Sequence, residues 1–486
     1  MSKKKEVDYG LGDFMIPVVE VISIFISKTI ELTAKMAGLG IERFILKKED
    51  YKKIERKDLD KTKSSTDFNT IGYSTTSNRK IKSSDINREK HSIVVGASGS
   101  GKSVLMDSLM FSDMREGKPI IYIDPKGDNE SLERFIDICR LNNREYQIFS
   151  EYYDKDNSLT LNPVMDGSVN NIADRIFKSF DWSEEYYANK AYQALKLAIK
   201  KLKAEGQIVS LVSILDMVLE LTKVELKRKD IEGLITKLDA IVSSDFKDKL
   251  CGRQGFHELQ KQNKCIYIGL SVLGYSETAR SIGKLILGDI NYSVYKTYRS
   301  ITYQSKKDLS PVALYIDELG AVVTNEFVEL LNKCRGAKFE ITTAIQSSSD
   351  LMKISKELCE QVFENSLNWF IMKQRLQDGA SFISNAIGTV ESTKKTVRVE
   401  GDSEQEQGSQ RKVEELLVHP NLIKNLNVGQ CILLRQQPTR VDLINVKYID
   451  QRTINTNLEL FELNDEIKKR EIKIFKPKPR EPEGIL

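Results

Sequence analysis

Histidine, tryptophan and proline are scarce: 486 residues hold three His, two Trp and ten Pro. The histidines (His91, His257, His419) are too few and too separated to build a metal centre. The six cysteines, Cys139, Cys251, Cys265, Cys334, Cys359 and Cys431, show no metal-ligand spacing, which argues against a zinc site. Several fall inside apolar runs and read as small, reduced core residues of an intracellular protein. No uncharged stretch approaches the roughly 18 to 20 residues that span a bilayer. The apolar region at 14–46 is interrupted by Pro17, Glu20, Lys28, Glu31 and Lys35, and it is not a signal peptide. A formal net charge of only +4 supplies no global field that demands nucleic acid, although local Lys and Arg can still line a pore. With 40% hydrophobic and 30% charged residues, the chain is not disordered and is long enough for two or three domains.

What is present is phosphate chemistry. Gly96, Ala97, Ser98, Gly99, Ser100, Gly101, Lys102 and Ser103 fit the pattern GxxxxGK[ST] at every fixed position. The β-branched run at 93–95 reads as a buried strand, and 104–114 has helical apolar spacing closed by Gly117. Strand, Gly-rich loop and helix therefore occur in the required order. Such a loop turns successive amide N–H groups toward a β-phosphate, at a helix terminus that favours anions. Lys102 is expected over the β/γ-phosphates and the Ser103 hydroxyl on Mg²⁺.

A second constellation ends the apolar run at 312–316, where Asp317 and Glu318 stand side by side. Ligands of parallel sheets gather at the carboxyl ends of strands, so Asp317 is expected to hold Mg²⁺ and Glu318 to accept the proton of the attacking water. Taken alone, an acidic pair more often simply ends a strand at the surface. The run 339–346 reads as another strand, ending in Gln346, suited to sensing the γ-phosphate. Ahead of it Arg335, in a Cys-Arg-Gly-Ala turn, is able to offer a planar guanidinium to a neighbouring subunit's nucleotide or to remain a solvated charge.

Taken together, these segments resemble the type IV coupling proteins, ring ATPases that hand DNA or protein to conjugative secretion machines. The likeness is carried by HSIVVGASGSGKS, by PIIYIDPKGD with its Asp-Pro-Lys-Gly turn, and by LNPV. It continues through GLSVLGYSETARSIGKLIL, YIDELG and CRGAKFEITTAIQSSSDL, and extends over about residues 71–446. The resemblance implies a RecA-like fold, assigns Arg335 as an arginine finger and Gln346 as sensor, and singles out His91 as a structural residue. It also implies ATP and Mg²⁺ as cofactors, a homo-oligomer, expected to be a hexamer, and DNA, a relaxase or relaxosome protein and membrane channel components as partners. The cytoplasmic face of a bacterial inner membrane is the implied location.

The expected class is α/β, a RecA-like P-loop NTPase with an inserted all-α domain and an N-terminal amphipathic-helix region. Residues 1–63 are read as the amphipathic helix with a charged linker, 64–180 and 251–450 as the nucleotide-binding domain, 181–250 as the all-α insertion, and 451–486 as a charged tail. Glu20, Ile24, Lys28, Glu31 and Lys35 form one helical stripe opposite a broad apolar face, which either meets membrane or partner or packs on its own domain. Helical periodicity in the insertion covers 191–202, 208–221 and 231–250, with Gly206 as a stop. Its Lys-rich faces read first as solvated and second as a surface for DNA or a DNA-processing partner. A hairpin is expected around 71–81 and a polar loop at 400–411. Three other readings stay open: a soluble DNA pump of the FtsK or HerA type, which the insertion disfavours; a coupling ATPase for protein effectors; and a non-hydrolysing scaffold, which would be expected to lack Lys102 or Glu318.

Overall fold

The computed structural model describes residues 70–449, except 76–78, 273–275, 302–309, 326, 401–402 and 438. The expected N-terminal amphipathic helix and the C-terminal tail lie outside the described residues. The described chain begins with the expected hairpin, β1 (Thr70–Ser74) paired antiparallel with β2 (Lys80–Lys82). The motor strands follow: β3 (Ser92–Val95), β4 (Ile120–Asp124), β5 (Tyr146–Phe149), β6 (Cys265–Gly269), β7 (Val312–Ile316), β8 (Phe339–Ile345) and β9 (Asn368–Ile371). These seven are mutually parallel.

The expected loop at 400–411 is a correction: β10 (Thr389–Glu400) and β11 (Ser403–Leu416) form a two-stranded antiparallel ribbon. A ribbon paired to no third strand has no packed layer to impose hydrophobic alternation, so a polar sequence hides it from pattern reading. Finally β12 (Gln430–Gln436) and β13 (Thr439–Val446) join the main sheet antiparallel. The sheet order is β2-β1-β13-β12-β9-β3-β8-β7-β4-β6-β5.

Every residue of β3, β4, β6, β7, β8 and β9 is buried, as befits strands covered on both faces. Alternate residues feed two cores. Val94, Tyr122, Tyr267, Tyr315 and Phe370 face helices α1 (Lys102–Arg115) and α2 (Asn129–Leu141). Ile93, Ile123, Ile268, Leu314 and Ile341 face the other way, into a larger core. That core is shared with α3 (Val169–Ser179), α4 (Glu185–Ala204), α5 (Leu211–Val224), α6 (Arg228–Val242) and the long α7 (Ser276–Ser300). The start of α5 falls three residues later than periodicity suggests, because the Ser210 hydroxyl accepts the Ser213 N–H and caps the helix there. Gly206, at φ 68, follows the end of α4. Before the expected insertion, α3 packs on both α4 and α7, and its Arg175 donates to Asp289 of α7 at 2.9 Å with both side chains buried.

One buried charge network ties α1 to β7 and β8. Asp113 of α1 takes hydrogen bonds from Arg88 at 3.0 Å, from Lys118 at 3.0 Å and from the Tyr315 hydroxyl, and Lys118 also reaches Glu340 at 2.8 Å. His91 closes the gap between the start of β3 and the end of α8 (Phe327–Cys334). Its Nδ1 accepts the Ile341 N–H at 3.2 Å, which places the ring proton on Nε2, facing the Leu331 carbonyl at 3.2 Å. Burial pushes the ring pKa down to about 4, with the Arg335 and Arg88 charges adding to the effect.

A neutral, buried His91 sets a pH dependence. Because its folded pKa lies below the ordinary value of about 6.5, the unfolded chain takes up this proton first, and stability falls as pH drops from 6.5 toward 4. The contribution lost between pH 7 and 5 is about 2 kcal/mol. In NMR titration of the full chain the His91 ring is expected to stay neutral at pH 5. A ring titrating near 6.5 contradicts the assignment.

Candidate nucleotide site

Register brings the sequence-predicted residues to one edge. Val95 lies level with Ile345 on one side and Ile371 on the other, and Ile316 lies level with Thr343 and with Ile123. The segments leaving β3, β8, β7 and β4 therefore emerge together at the carboxyl ends of the strands. Gly96 N–H donates to the Ile345 carbonyl at 3.1 Å, and Asp317 N–H to the Ile123 carbonyl at 3.0 Å.

The loop after β3 is shaped by its glycines at two points. A Cβ on Gly96 would sit 2.5 Å from Ser100 Oγ and 2.7 Å from Met372 Cβ, so no larger residue fits. Gly101 holds φ 103 as the residue before α1, whose first turn has no side-chain cap, leaving amide donors for an anion. Ser98 and Gly99 are exposed, while Ser100 and Lys102 are buried. The Lys102 ammonium folds onto the carbonyls of Gly96 at 2.6 Å and Ala97 at 3.4 Å. Burial lowers its pKa, Asp317 opposes that shift and Lys126 adds to it.

Across the site, Asp317 is buried and its Oδ1 accepts the Glu318 N–H at 2.9 Å. Burial raises its pKa, Lys126 opposes the rise, and Glu318 contributes to it. Glu318 itself occupies the left-handed region at φ 45, a strained setting that turns its side chain toward β8 and β4. Its Oε1 receives Gln346 Nε2 at 2.9 Å and Lys126 Nζ at 3.0 Å. Lys102, Asp317, Glu318 and Gln346 thus form one constellation, with Ser103 in the first turn of α1. These oxygen donors, Ser103 hydroxyl and Asp317 carboxylate, suit a hard cation such as Mg²⁺, and the uncapped helix and glycine cradle suit phosphate.

Arg335 is not brought to this site. It is exposed and precedes β8, whereas Gln346 follows it; the seven residues of β8 alone separate the two ends by roughly 20 Å.

Sequence reasoning passed over four neighbours. Lys126 was visible only as part of the Asp-Pro-Lys-Gly turn. Asp350 accepts the Gln346 N–H at 3.1 Å, Gln374 Nε2 donates to the Gln346 carbonyl at 3.0 Å, and Arg375 donates to the Ser98 carbonyl at 3.4 Å. The signal for Gln374 and Arg375 was their place just beyond the carboxyl end of β9, a parallel strand beside the phosphate loop.

This fold and this site define a RecA-like P-loop ATPase. Residues 73–274 match a family model described as an AAA-like domain, and residues 311–428 match one described as the TraM recognition site of TraD and TraG. No curated protein matches the sequence. The chain is similar in structure to the bacterial conjugative coupling protein TrwBdeltaN70, with a TM-score of 0.58 and 14% identity over 82% of this chain and 95% of that one. It is also similar to TrwB solved with ADP and Mg²⁺ (TM-score 0.55, 16% identity, 82% and 93% covered). A third similar structure is VirB4 of Thermoanaerobacter pseudethanolicus (TM-score 0.53, 12% identity, 79% and 97% covered).

Proposed function

We propose that this chain is the coupling ATPase of a conjugative type IV secretion system, which recruits DNA through a relaxosome protein and drives it into the transfer channel by ATP hydrolysis. The observation that carries the reading is the separation of two half-sites: Lys102, Asp317, Glu318 and Gln346 at the carboxyl edge of the sheet, and Arg335 at the amino edge. A catalytic centre completed by a neighbour's arginine makes a ring, expected to be a hexamer, the working form. The family match over 311–428 supports a relaxosome protein as partner, and TrwB solved with ADP and Mg²⁺ supports that nucleotide and metal here. Among the described residues no helix is long and apolar enough to cross a membrane. We place the protein at the cytoplasmic membrane face, held there by residues 1–63 through lipid or through channel components.

In the proposed mechanism, the phosphate loop binds the triphosphate through its amides and Lys102. Ser103 and Asp317 would hold Mg²⁺, which when bound would supply charge neutralisation at the phosphates. Glu318 accepts a proton from water as the water oxygen bonds to the γ-phosphorus and the bond to the departing ADP oxygen breaks. Gln346 orients that water and the Glu318 carboxylate. Arg335 of the adjacent subunit meets the charge that gathers on the transferred group, for which a planar fork is suited and an ammonium is not.

Lys102→Ala is expected to lose both nucleotide binding and turnover, and Glu318→Gln to lose turnover while still binding ATP, because only proton acceptance is removed. Steady-state hydrolysis with fluorescent-nucleotide binding decides this, and wild-type turnover in Glu318→Gln would falsify the base assignment. For Arg335→Ala, ATP binding should survive while turnover falls by as much as ~10³-fold. Mixing Arg335→Ala with Lys102→Ala subunits should restore part of the activity, since an intact loop on one meets an intact finger on the other. No recovery in verified mixed rings means that Arg335 does not act across the interface.

A further inference from the structure

Lys126 has no place in the mechanism above, yet its ammonium lies 3.0 Å from the proposed base. The turn that carries it is held firmly. Gly127, at φ 59, packs so closely that a Cβ would lie 2.8 Å from the Ser271 amide nitrogen. The Lys126 N–H donates to Asp124 Oδ1 at 2.9 Å, and Val272 N–H donates to the Pro125 carbonyl at 2.8 Å. The backbone of Lys126 is thus anchored, while its side chain is 40% exposed and held at its end by the Glu318 carboxylate alone. Burial works against the charge on Lys126, but the Glu318 hydrogen bond and the Asp317 carboxylate outweigh it, so its pKa is raised and the cation persists. Lys102 and Lys126 approach the same space from opposite sides, β3 and β4, with Asp317 between their fields. Lys102 is committed to the phosphate loop. The Lys126 ammonium shares Glu318 Oε1 with Gln346 Nε2, so its bond to the carboxylate can be given up without leaving that oxygen unpaired.

We propose that Lys126 is a ligand of the terminal phosphate of ATP: when a triphosphate binds, its ammonium exchanges the Glu318 carboxylate for a γ-phosphate oxygen, and Glu318 Oε1 is left with Gln346 as its donor. The inference rests on the nucleotide-site reading given above. It makes Lys126 a reader of triphosphate against diphosphate. The difference between the two nucleotides is the charge-assisted bond that only ATP allows, and a bond of that kind is worth roughly a tenfold or larger change in affinity.

The test measures binding of ADP and of a non-hydrolysable ATP analogue, each with Mg²⁺, to the full-length wild type and to Lys126→Ala, Lys126→Met and Lys102→Ala. Lys126→Ala is expected to bind ADP within about twofold of wild type and the analogue roughly tenfold or more weakly, with a lower kcat. Lys102→Ala should lose both ligands, because its phosphate contacts are common to them. Lys126→Met, which retains the aliphatic stem and its packing, should behave like Lys126→Ala. Equal weakening of both ligands in Lys126→Met, or weakening of neither, overturns the proposal while leaving the phosphate loop untouched. If the wild type itself binds neither nucleotide, the nucleotide-site reading fails, and this inference fails with it.

Discussion

Everything at the candidate site depends on β8 lying between β3 and β7. Hydrogen bonds of a parallel ladder hold Val95 level with Ile345 and Ile316 level with Thr343, so three chain segments leave the sheet at one height. A slip of one residue would turn every side chain of β8 to the opposite face and exchange its contributions to the two cores. Full burial of β8 on both faces makes such a slip costly, because Phe339, Ile341 and Ile345 belong to one core and Ala344 to the other. The position of Gln346 against Glu318 is therefore inherited from core packing more than from contacts within the site.

The same strand separates two tasks. Its carboxyl end carries Gln346 and its amino end follows Arg335, so one element joins the residue proposed as sensor to the guanidinium proposed to serve the neighbouring subunit. His91 and the Asp113 network brace the amino end, where the Ile341 N–H, the Leu331 carbonyl and Glu340 are tied to β3 and to the residues around α1. Because these groups are buried and paired, loosening one would leave an unsatisfied polar group, which is more costly than the bond itself contributes.

Legibility in the sequence followed the range of the cause. The phosphate loop and the paired carboxylates were readable because their geometry is local: a strand, a tight turn and fixed spacing. The helices of 185–242 were readable from period and from Gly206, but the exact start of α5 depended on the Ser210 cap, and the helix expected to run to 250 ends at Val242, beyond which the chain turns. The ribbon of β10 and β11 was missed because its pairing partner, not its own pattern, makes it a strand. The contact of Lys126 with Glu318 was invisible for a different reason: β4 and β7 are neighbours in the sheet but almost 200 residues apart in sequence, and only their ladder brings the two turns together. The distance of Arg335 from its own phosphate loop is likewise a property of strand direction, which no local pattern expresses.

The proposed catalytic centre is split between two copies of the chain. The most direct measurement is the structure of the assembled protein with Mg²⁺ and a non-hydrolysable ATP analogue. Each analogue is expected on the Gly96 to Ser103 loop of one subunit, with the Arg335 guanidinium of the next subunit within hydrogen-bond reach of its terminal phosphate. An assembly in which Arg335 faces solvent, or in which the analogue contacts residues of a single subunit only, contradicts it.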